Sequence, residues 1–477
     1  RTAGAGGTGL MAKGKKKEVL TLEERLQAAL VPESEQPYQV PGNWCWTRMQ
    51  NIARWGSGGT PSRKIPEYYK GTIPWLKTGE LNDDYIFETE EHITKDAIIN
   101  SSAKLFPVNT VAIAMYGATI GKVCILGVKA ATNQACACGI AYPEINFKYL
   151  FYYARSQKNA FINQGKGGAQ PNISQEIIKS HPFPLSPLPE QSRIVDRIEG
   201  LFAKLDEARQ KVQDVLDGFE PRRAAILHKA FSGELTAWWR KKHGVGMEEW
   251  RTVSWGTFIT LIEAGRNWNA DGRPPKNDEF GVVKVSAVTW GEFNELESKT
   301  CTCEKQWNEN VQIHTGDFLF SRANTLQLVG NCVIVKDISK RLMLSDKILR
   351  FTFDNSVVPG YILNFTRSDL YRKQIEQLAS GNQDGMRNVS QKNMKLVEFP
   401  IPELNEQTEI VRILDSFFAK EQQAKEASVK VLEQIDLIKK SILARAFRGE
   451  LGTNDPAEES ALELIKQTLL ETIANND

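Results

Sequence analysis

The sequence has few of the residues that build disulfide scaffolds and metal centres. It holds 7 cysteines and 5 histidines in 477 residues, and an odd number of thiols argues against a disulfide framework. The pairs Cys136/Cys138 and Cys301/Cys303 have one-residue spacing, which on a strand points both thiols to one face. No second pair or histidine cluster completes a zinc site. We therefore expect buried, reduced thiols and no metal.

Long apolar runs and an excess of one charge are also missing. The apolar stretches fall well short of the roughly 20 residues of a membrane span, and no secretory signal opens the sequence. We therefore expect a cytoplasmic protein without membrane contact. The 60 basic and 58 acidic side chains give a net charge of +2, far from the strongly basic footprint of proteins that coat nucleic acid. Any DNA site must be locally basic.

The first residues are not expected to belong to the fold. Residues 1–10 (RTAGAGGTGL) are rich in glycine and precede Met11, so we interpret them as tag, vector or upstream residues. A short basic run follows, for which a solvated tail is the alternative to contact with a phosphate backbone. Its lysines are Lys13, Lys15, Lys16 and Lys17.

The sequence does contain a long internal repeat. Residues 172–235 align without a gap onto residues 388–451, 216 positions later, and 24 of the 64 positions are identical, where roughly four are expected by chance. Each copy opens with Asn-x-Ser-Gln, continues through Phe-Pro and Leu-x-Glu-Gln, and ends with Ala-Phe-x-Gly-Glu-Leu. The final glycine stands where a helix stop is expected. The chain is therefore a tandem duplication.

Apolar residues in each copy alternate at steps of four and three, which predicts a long helix with a coiled-coil seam. In the first copy the seam is Ile194, Ile198, Leu201, Leu205, Ala208, Val212, Val215 and Phe219. In the second copy it is Ile410, Leu414, Phe417, Ala424, Val431, Ile435, Ile438 and Ile442, with Glu421 and Ser428 at two seam positions that should pack loosely. Pro221 should stop or kink the first helix, whereas Leu437 lets the second continue.

The segments outside the repeats, about 44–171 and 250–387, are predicted to be α+β domains with short strands and turns rich in Gly or Asn. They resemble each other only weakly. If the segment between the copies is compact with neighbouring termini, the two helices must run antiparallel, with one domain at each end. The predicted fold is therefore α+β, with two globular domains separated by two long antiparallel helices in a pseudo-twofold repeat. Its segments are 1–43 (tail and short helix), 44–171 (domain 1), 172–249 (helical repeat 1), 250–387 (domain 2) and 388–477 (helical repeat 2 and tail).

Both domains carry a Gly-rich basic turn, then a strand with a polar end, then an apolar strand that enters a polar turn. In domain 1 these are GGTPSRK (58–64), IPWLKTGEL (73–81) and VAIAMYGATIGK (111–122). In domain 2 they are residues 265–273, VVKVSAVTW (282–290) and FLFSRANTLQLVGN (318–331). Together with LPEQSRIV (188–195) and the repeated AFxGEL ending, the chain resembles, over nearly its whole length, the specificity (S) subunit of type I restriction-modification enzymes, the HsdS family.

This resemblance implies two target recognition domains, each binding one half of a split sequence in double-stranded DNA. The helices would act as a spacer and as the docking surface for two methyltransferase (M) subunits, through which restriction (R) subunits join the complex. The chain itself would be non-catalytic and without a cofactor. The M subunits would bind S-adenosylmethionine, the R subunits would bind ATP and Mg, and the complex would be in the prokaryotic cytoplasm.

Polar and basic residues of the turns are the candidates for DNA contact, because Gly and Asn turns let the backbone approach phosphates while longer side chains reach base edges. For each, the alternative is an ordinary solvated turn residue or cap. The candidates in domain 1 are Ser57, Thr60, Arg63, Lys77, Thr78, Tyr116, Thr119 and Lys122. Those in domain 2 are Arg266, Arg273, Lys284, Ser286, Arg322 and Asn324. Those at the junctions with the helices are Lys166, Asn172, Arg387 and Asn388.

Catalytic motifs are not recognisable. Gly117–Lys122 reads GxxxGK, which is one residue short of a phosphate-binding loop and is followed by Val123 in place of Ser or Thr. The acid pairs Asp83/Asp84 and Glu90/Glu91 are most simply solvated loop residues. Two alternatives to a specificity subunit stay open: a coiled-coil adaptor that does not read sequence, and a self-contained DNA methyltransferase or nuclease.

Overall fold

The computed structural model describes residues 21–165, 172–276, 278–381 and 386–474. The chain divides into two compact units. Unit 1 contains the chain up to Gln210 together with the residues from Leu432 onward, and unit 2 contains Lys211–Val431. Each unit therefore combines the start of one helical repeat with the end of the other.

Helices and short strands alternate along both units. The described helices are α1 (Leu22–Ala29), α2 (Lys95–Ile99), α3 (Phe147–Ser156), α4 (Lys158–Gln164), α5 (Gln175–Ser180), α6 (Leu188–Asp217), α7 (Phe219–Phe231), α8 (Ala237–His243), α9 (Pro359–Phe365), α10 (Asp369–Leu378), α11 (Gln391–Met394), α12 (Leu404–Ala446) and α13 (Leu462–Ala474). The strands of unit 1 are β1 (Cys45–Arg48), β2 (Ala53–Ser57), β3 (Ile73–Leu76), β4 (Tyr85–Ile86), β5 (Glu91–Ile93), β6 (Leu105–Phe106), β7 (Val111–Ala114), β8 (Val123–Leu126), β9 (Ala130–Thr132), β10 (Cys136–Ala141) and β11 (Pro182–Leu185). Those of unit 2 are β12 (Arg251–Ser254), β13 (Ile259–Ala264), β14 (Ala270–Asp271), β15 (Phe280–Val283), β16 (Ser298–Cys301), β17 (Phe318–Ser321), β18 (Ala323–Asn324), β19 (Cys332–Ile334), β20 (Arg341–Met343), β21 (Ile348–Phe353), β22 (Arg387–Asn388) and β23 (Glu398–Ile401).

The two domains share one sheet plan. The larger sheet of domain 1 has the order β2-β10-β7-β8-β4, and its counterpart in domain 2 has the order β13-β21-β17-β19. A second sheet in each domain contains one parallel pair, β3 with β9 and β15 with β20, beside an antiparallel neighbour. The predicted mixture of helices and sheets is confirmed. The repeat also extends into the domains, where the two sequences resemble each other only weakly.

Both predicted long helices are present, and the first breaks near Pro221 while the second continues, as predicted. α6 runs for 30 residues and is interrupted at Gly218, three residues before Pro221, whereas α12 runs unbroken for 43 residues. In unit 1, Lys439 pairs with Asp206 and Arg209 with Asp436. Residue numbers therefore rise along α6 while those of the paired residues fall along α12, so the predicted antiparallel pairing is confirmed.

The predicted seam is wrong in the middle of the first helix, whereas the looser packing predicted for the middle of the second helix is confirmed. Ile194 and Ile198 on α6 and Ile410 and Leu414 on α12 are fully buried. The exposed seam positions are Ala208, Val215, Ala424, Val431 and Ile438. Phe202, outside the predicted seam, is buried instead. Burial concentrates where a helix end packs on a domain, because two helices by themselves cover only a narrow stripe of each other.

A buried glutamate at the start of each long helix explains the conserved spacing of Leu-x-Glu-Gln in the two copies. Glu190 accepts hydrogen bonds from Trp44 Nε1 (2.7 Å), Asn454 Nδ2 (2.9 Å) and Thr453 Oγ1 (3.3 Å). Both carboxylate oxygens are used. In unit 1, Glu190 thereby joins the start of α6 to the region of β1 and to the segment that follows the second repeat.

Glu406 occupies the same position in unit 2. It accepts from Trp250 Nε1 (3.0 Å), Thr236 Oγ1 (2.6 Å) and Arg240 Nη1 (2.5 Å). The neighbouring Gln407 accepts from the Val358 N–H (2.9 Å), as Gln191 does from the Asn146 N–H in unit 1 (2.9 Å). The motif therefore anchors each helix to its domain.

The Ala-Phe-x-Gly-Glu-Leu endings close the units. Phe447 packs against Tyr149 and Tyr153, with ring centroids 5.1 and 5.0 Å apart. Phe231 packs in the same way in unit 2, against Tyr361 and Phe365. Gly233 and Gly449 adopt positive φ, which favours glycine, so the predicted helix stops are confirmed. The end of the second repeat thus completes the unit that begins the chain.

None of the seven cysteines forms a disulfide in the structure, and six are buried. Cys136 and Cys138 lie in one apolar cluster within domain 1, as their spacing on a strand predicted. The prediction is wrong for Cys303, which is exposed because β16 ends at Cys301 and no longer directs it inward. Within the described ranges, no group of His, Cys, Asp and Glu is arranged to hold a metal, and no helix is long and apolar enough to cross a membrane.

Candidate nucleic-acid interface

Backbone hydrogen bonds in domain 1 gather four chain segments around one loop. In this loop, residues 132–135, the Thr132 carbonyl accepts from the Gly59 N–H (2.9 Å) and the Asn133 N–H donates to Leu76 O (2.9 Å). The Ala135 carbonyl accepts from the Met115 N–H (2.8 Å). Met115 O in turn accepts from the Ile173 N–H (2.9 Å). We call the resulting surface face 1; its polar residues are Thr60, Lys77, Thr78, Tyr116, Asn133, Gln134 and Asn172.

Close packing of backbone on backbone requires glycine at this face. A Cβ on Gly58 would stand 1.9 Å from Thr132 O, so no larger residue fits. The Thr60 hydroxyl donates to Gln134 Oε1. Tyr116 is 42% exposed and forms an isolated antiparallel bridge with Asn172. The glycine-rich turn, the YGAT turn and the junction to the helix therefore meet at one place.

Domain 2 builds the equivalent surface by the same connections. Gly265 approaches Leu344 O as Gly58 approaches Thr132 O; a Cβ there would stand 1.7 Å away. The Arg322 N–H donates to Lys347 O (3.0 Å) and the Val389 N–H to Arg322 O (2.9 Å), which repeats the links of Met115. We call this surface face 2; its polar residues are Arg266, Arg322, Asn324, Ser345, Asp346, Lys347, Arg387 and Asn388.

The junction residues of domain 2 lie on face 2. β22 pairs with β18, which places Asn388 opposite Ala323 and Arg387 opposite Asn324. Arg322 Nε donates to Asn388 Oδ1 (3.3 Å), and Asn324 Nδ2 contacts Thr289 Oγ1 (3.3 Å). Four of the predicted residues are therefore brought together. Lys166, predicted for the corresponding junction of domain 1, lies outside the described residues.

Two predicted cations of domain 1 are held by glutamates. The Arg63 guanidinium binds both oxygens of Glu91 (2.5 and 3.1 Å) and lies 4.0 Å from the centre of the Tyr69 ring. Lys77 Nζ binds Glu90 (2.7 Å) and Glu91 (3.0 Å). The Arg63 guanidinium, with help from Lys77, keeps the pKa of the Glu91 carboxyl below its usual value. Both cations are thus partly neutralised by carboxylates of the same domain.

Domain 2 also holds predicted cations with glutamates. Arg273 binds Glu279 through two bonds of 2.6 Å and, together with the Lys276 N–H, lowers the pKa of the Glu279 carboxyl to about 2. Lys284 lies 3.9 Å from Glu297, which also accepts from Ser286 Oγ (2.6 Å). These three predicted residues make contacts in turns of the second sheet.

The remaining predicted residues have local structural roles as well. Ser57 is half-buried at the end of β2, opposite Ala137. Thr119 Oγ1 donates to Tyr116 O (2.8 Å), and the Lys122 carbonyl accepts from the Ala114 N–H (2.9 Å). The Thr119 hydroxyl thus closes the YGAT turn that presents Tyr116. Contact of any of these side chains with DNA stays a prediction.

Sequence reasoning missed the loop at the centre of each face. In domain 1 its polar residues are Asn133 and Gln134, and in domain 2 they are Ser345, Asp346 and Lys347. The corresponding segments ATNQAC (131–136) and MLSDKI (343–348) share no motif, and their equivalence follows only from strand pairing and backbone hydrogen bonds. The glycines at 58 and 265 were visible, but the carbonyls they approach are 74 and 79 residues away.

Comparison with known proteins places the chain in a family. A family model described as "Type I restriction modification DNA specificity domain" matches twice, at residues 41–215 and 247–434. The specificity subunit of the type I restriction enzyme EcoKI from Escherichia coli K12 is 24% identical over 405 residues, covering 82% of this chain and 85% of the relative. The StySPI specificity subunit from Salmonella potsdam is 21% identical, covering 89% and 92%.

Solved structures agree on the fold. An HsdS subunit from Thermoanaerobacter tengcongensis superposes with a TM-score of 0.56 at 18% identity, covering 88% of this chain and all of that one. A chain from work on complex assembly and conformational transition of the type I R-M system superposes with a TM-score of 0.65 at 18% identity, covering 87% and 100%. The chain belongs to the type I restriction modification DNA specificity family.

Proposed function

We propose that this chain is the DNA-sequence specificity subunit of a type I restriction-modification complex, in which each domain binds one half of a bipartite target. The supporting observation is the construction of faces 1 and 2 from the same strand ends and turns in both domains. Each face presents polar side chains on backbone fixed by hydrogen bonds. Such rigid placement suits readout of base edges, while cations nearby contact phosphates.

The helices supply the spacing and the docking surface in this proposal. Along α12 the apolar side chains Val431, Leu437 and Ile438 are 39%, 63% and 45% exposed. Exposed apolar residues on a long helix favour contact with a protein partner. We assign this contact to two methyltransferase subunits, with restriction subunits joining through them.

We infer that the chain is non-catalytic and directs chemistry performed by its partners. Methyl transfer from S-adenosylmethionine would belong to the M subunits, and the use of ATP and Mg to the R subunits. The curated relatives are named specificity subunits, which supports the same division of roles.

Exchange of one domain tests the proposal. Residues 44–171 are replaced by the corresponding segment of a relative with a different target, and the variant is produced with its M subunits in a host whose methylated bases are then mapped. We expect one half-target to change and the other to stay. A change in both halves, or in neither, would contradict modular reading.

The two alternatives predict other results. A coiled-coil adaptor would give a complex that binds random duplexes without preference. A self-contained methyltransferase would transfer label from S-adenosylmethionine to DNA without M subunits. Assays of the wild-type chain alone and in its complex, on the same DNA, separate all three.

A further inference from the structure

Resting on the proposed function, we propose that Gln134 and Asp346 are equivalent specificity-determining residues, each reading one base pair of its half-target: Gln134 an adenine, and Asp346 the amino group of a cytosine.

The equivalence of the two positions follows from the hydrogen bonds around them. Cys136 N–H donates to Asn133 O at 3.3 Å, and Ile348 N–H donates to Ser345 O at 3.3 Å, so each loop closes with the same turn before β10 or β21. The residue after the turn's first position is Gln134 in domain 1 and Asp346 in domain 2. Both side chains are exposed.

The position is central on each face. The loop that carries Gln134 contacts the glycine-rich turn, the end of β3 and the residue before Tyr116. The loop that carries Asp346 contacts Gly265 and Arg322 in the same way. A duplex lying on either face would meet this loop with candidate phosphate contacts on several sides.

Gln134 is held ready to bind an adenine edge. Its Oε1 accepts from the Thr60 hydroxyl, while its Nε2 has no hydrogen bond to any residue that the structure describes. Asn133, beside it, is occupied: its Oδ1 accepts from the Ala135 N–H at 3.2 Å and from Cys136 Sγ at 3.4 Å. A side-chain amide offers one donor and one acceptor, which match N7 and N6 of adenine in the major groove.

Asp346 offers acceptors only. Across the described ranges its carboxylate makes no hydrogen bond or ion pair, although Arg266, Arg322 and Lys347 belong to the same face. A carboxylate on a surface that attracts phosphates is repelled by the backbone of DNA, so its placement favours a specific acceptor role. Cytosine N4 is the donor that aspartate accepts from in the major groove.

Methylation mapping of single variants tests the proposal. Gln134→Ala and Asp346→Ala are each produced with the M subunits, and the methylated motif is read from the host genome. Gln134→Ala should relax one A·T pair in the half-target of domain 1 and nothing in the other half. Asp346→Ala should relax one G·C pair in the half-target of domain 2. Discrimination at that pair should fall about 5- to 150-fold, the equivalent of roughly 1–3 kcal/mol per base contact.

Matched controls are exposed residues of the same types elsewhere on each domain, Gln50→Ala and Asp337→Ala, which should leave both half-targets unchanged. If an alanine variant gives no methylation, the isosteric Gln134→Glu and Asp346→Asn decide. An altered preference at the same base pair supports the proposal. An unchanged motif in these variants, or relaxation at a different class of base pair, overturns it.

Thr60 gives an independent readout as a positioning residue for Gln134. Thr60→Val should relax the same base pair as Gln134→Ala, and Thr60→Ser should restore it; relaxation at another pair would count against the proposal. Failure of the proposed function is distinct, because the wild-type complex would then show no split motif at all.

Discussion

Faces 1 and 2 share their backbone but differ in charge. Among the residues that the structure describes, face 1 has one cation, Lys77, which is bound by Glu90 and Glu91. The described part of face 2 has the cations Arg266, Arg322, Lys347 and Arg387 and one carboxylate, Asp346. Within the described residues, face 2 therefore carries more positive charge than face 1. One duplicated scaffold thus carries two faces that differ in charge.

The buried glutamates that anchor the two long helices also differ in the charge of their partners. Glu190 is buried among neutral donors, whereas Glu406 is buried with the cation Arg240. Arg240 is itself tied to Gly233 O (2.6 Å) and lies over the Trp250 ring. Removing the carboxylate leaves an unpaired charge only in unit 2.

The largest predicted difference comes from these anchors. Glu406→Ala should destabilise unit 2 by about 3–5 kcal/mol, because the buried Arg240 charge loses its partner. Glu190→Ala should cost unit 1 roughly 1–3 kcal/mol, the usual cost of unsatisfied neutral donors. Denaturant unfolding followed by hydrogen exchange in each unit measures both. Exposed Glu433→Ala is the control and should change stability by less than about 0.5 kcal/mol. Equal losses in the two units would contradict the comparison.

His181 in unit 1 corresponds to Val397 in unit 2, 216 residues later. The His181 ring packs against Phe161 (4.8 Å), and burial lowers its pKa from 6.5 to about 4. Below pH 6.5 the unfolded chain therefore binds a proton at His181, whereas the folded unit binds it only as the pH approaches 4. Stability from this residue is complete above pH 6.5 and is lost as the pH falls toward 4, by up to about 3 kcal/mol.

The measurement is the pH dependence of unfolding in each unit between pH 7 and 4. Unit 1 should lose more stability than unit 2, and His181→Val should remove that excess. If the variant kept the full acid sensitivity of unit 1, another group would have to be responsible.

The helices show why part of this fold could be predicted from sequence. Heptad spacing and the helix break near Pro221 depend on residues close together in the chain, so local rules located α6 and α12. The seam failed at Val215 and Ile438 because burial there depends on which domain covers the helix. Gln134 and Asp346 were missed for the same reason, since only pairing between distant strands places their loops at the centre of a face.

The turns of the candidate faces could be predicted from sequence, whereas the ion pairs of their cations could not. The turns that hold Thr60, Tyr116 and Arg322 were recognised from glycine and asparagine patterns, and the structure brings them to the two faces. The pairing of Arg63 with Glu91 and of Arg273 with Glu279 was not expected, because those glutamates lie on other turns or strands.

Arg266 and Arg63 lie in corresponding turns of the two domains, but their guanidinium groups differ in whether a carboxylate binds them. Arg63 is bound by Glu91, whereas the side chain of Arg266 is exposed and makes no hydrogen bond or ion pair within the described ranges. The association constant for DNA falls as salt rises, and Arg266→Ala should make the slope of its logarithm against the logarithm of salt concentration shallower by about 0.9, the effect of one lost phosphate contact. Arg63→Ala should change this slope less. Titrations of the complex with its target at several salt concentrations measure both slopes. A larger effect at Arg63 would reverse the assignment.

The smallest predicted effect concerns two equivalent cations. The one in unit 1 pairs with an aspartate, whereas the one in unit 2 has a glutamine at the corresponding position. In unit 1, Lys439 lies 5.0 Å from the Phe202 ring and pairs with Asp206. In unit 2 the equivalent Arg223 lies 4.7 Å from the Phe418 ring, but Gln422 stands in place of the aspartate.

Gln422→Asp should restore the pair, with a pairing energy of about 0.2–1 kcal/mol at a site partly exposed to solvent. The substitution also removes the hydrogen bond from Gln422 Nε2 to Glu426 Oε1 (2.8 Å), so the pairing energy is the quantity to measure. A double-mutant cycle with Arg223→Gln isolates the pairing energy from the other effects of the substitution. The gain should shrink at high salt, as screening requires. A stabilisation that survives removal of Arg223 would show that the new carboxylate acts on the helix itself and that the two clusters are not equivalent.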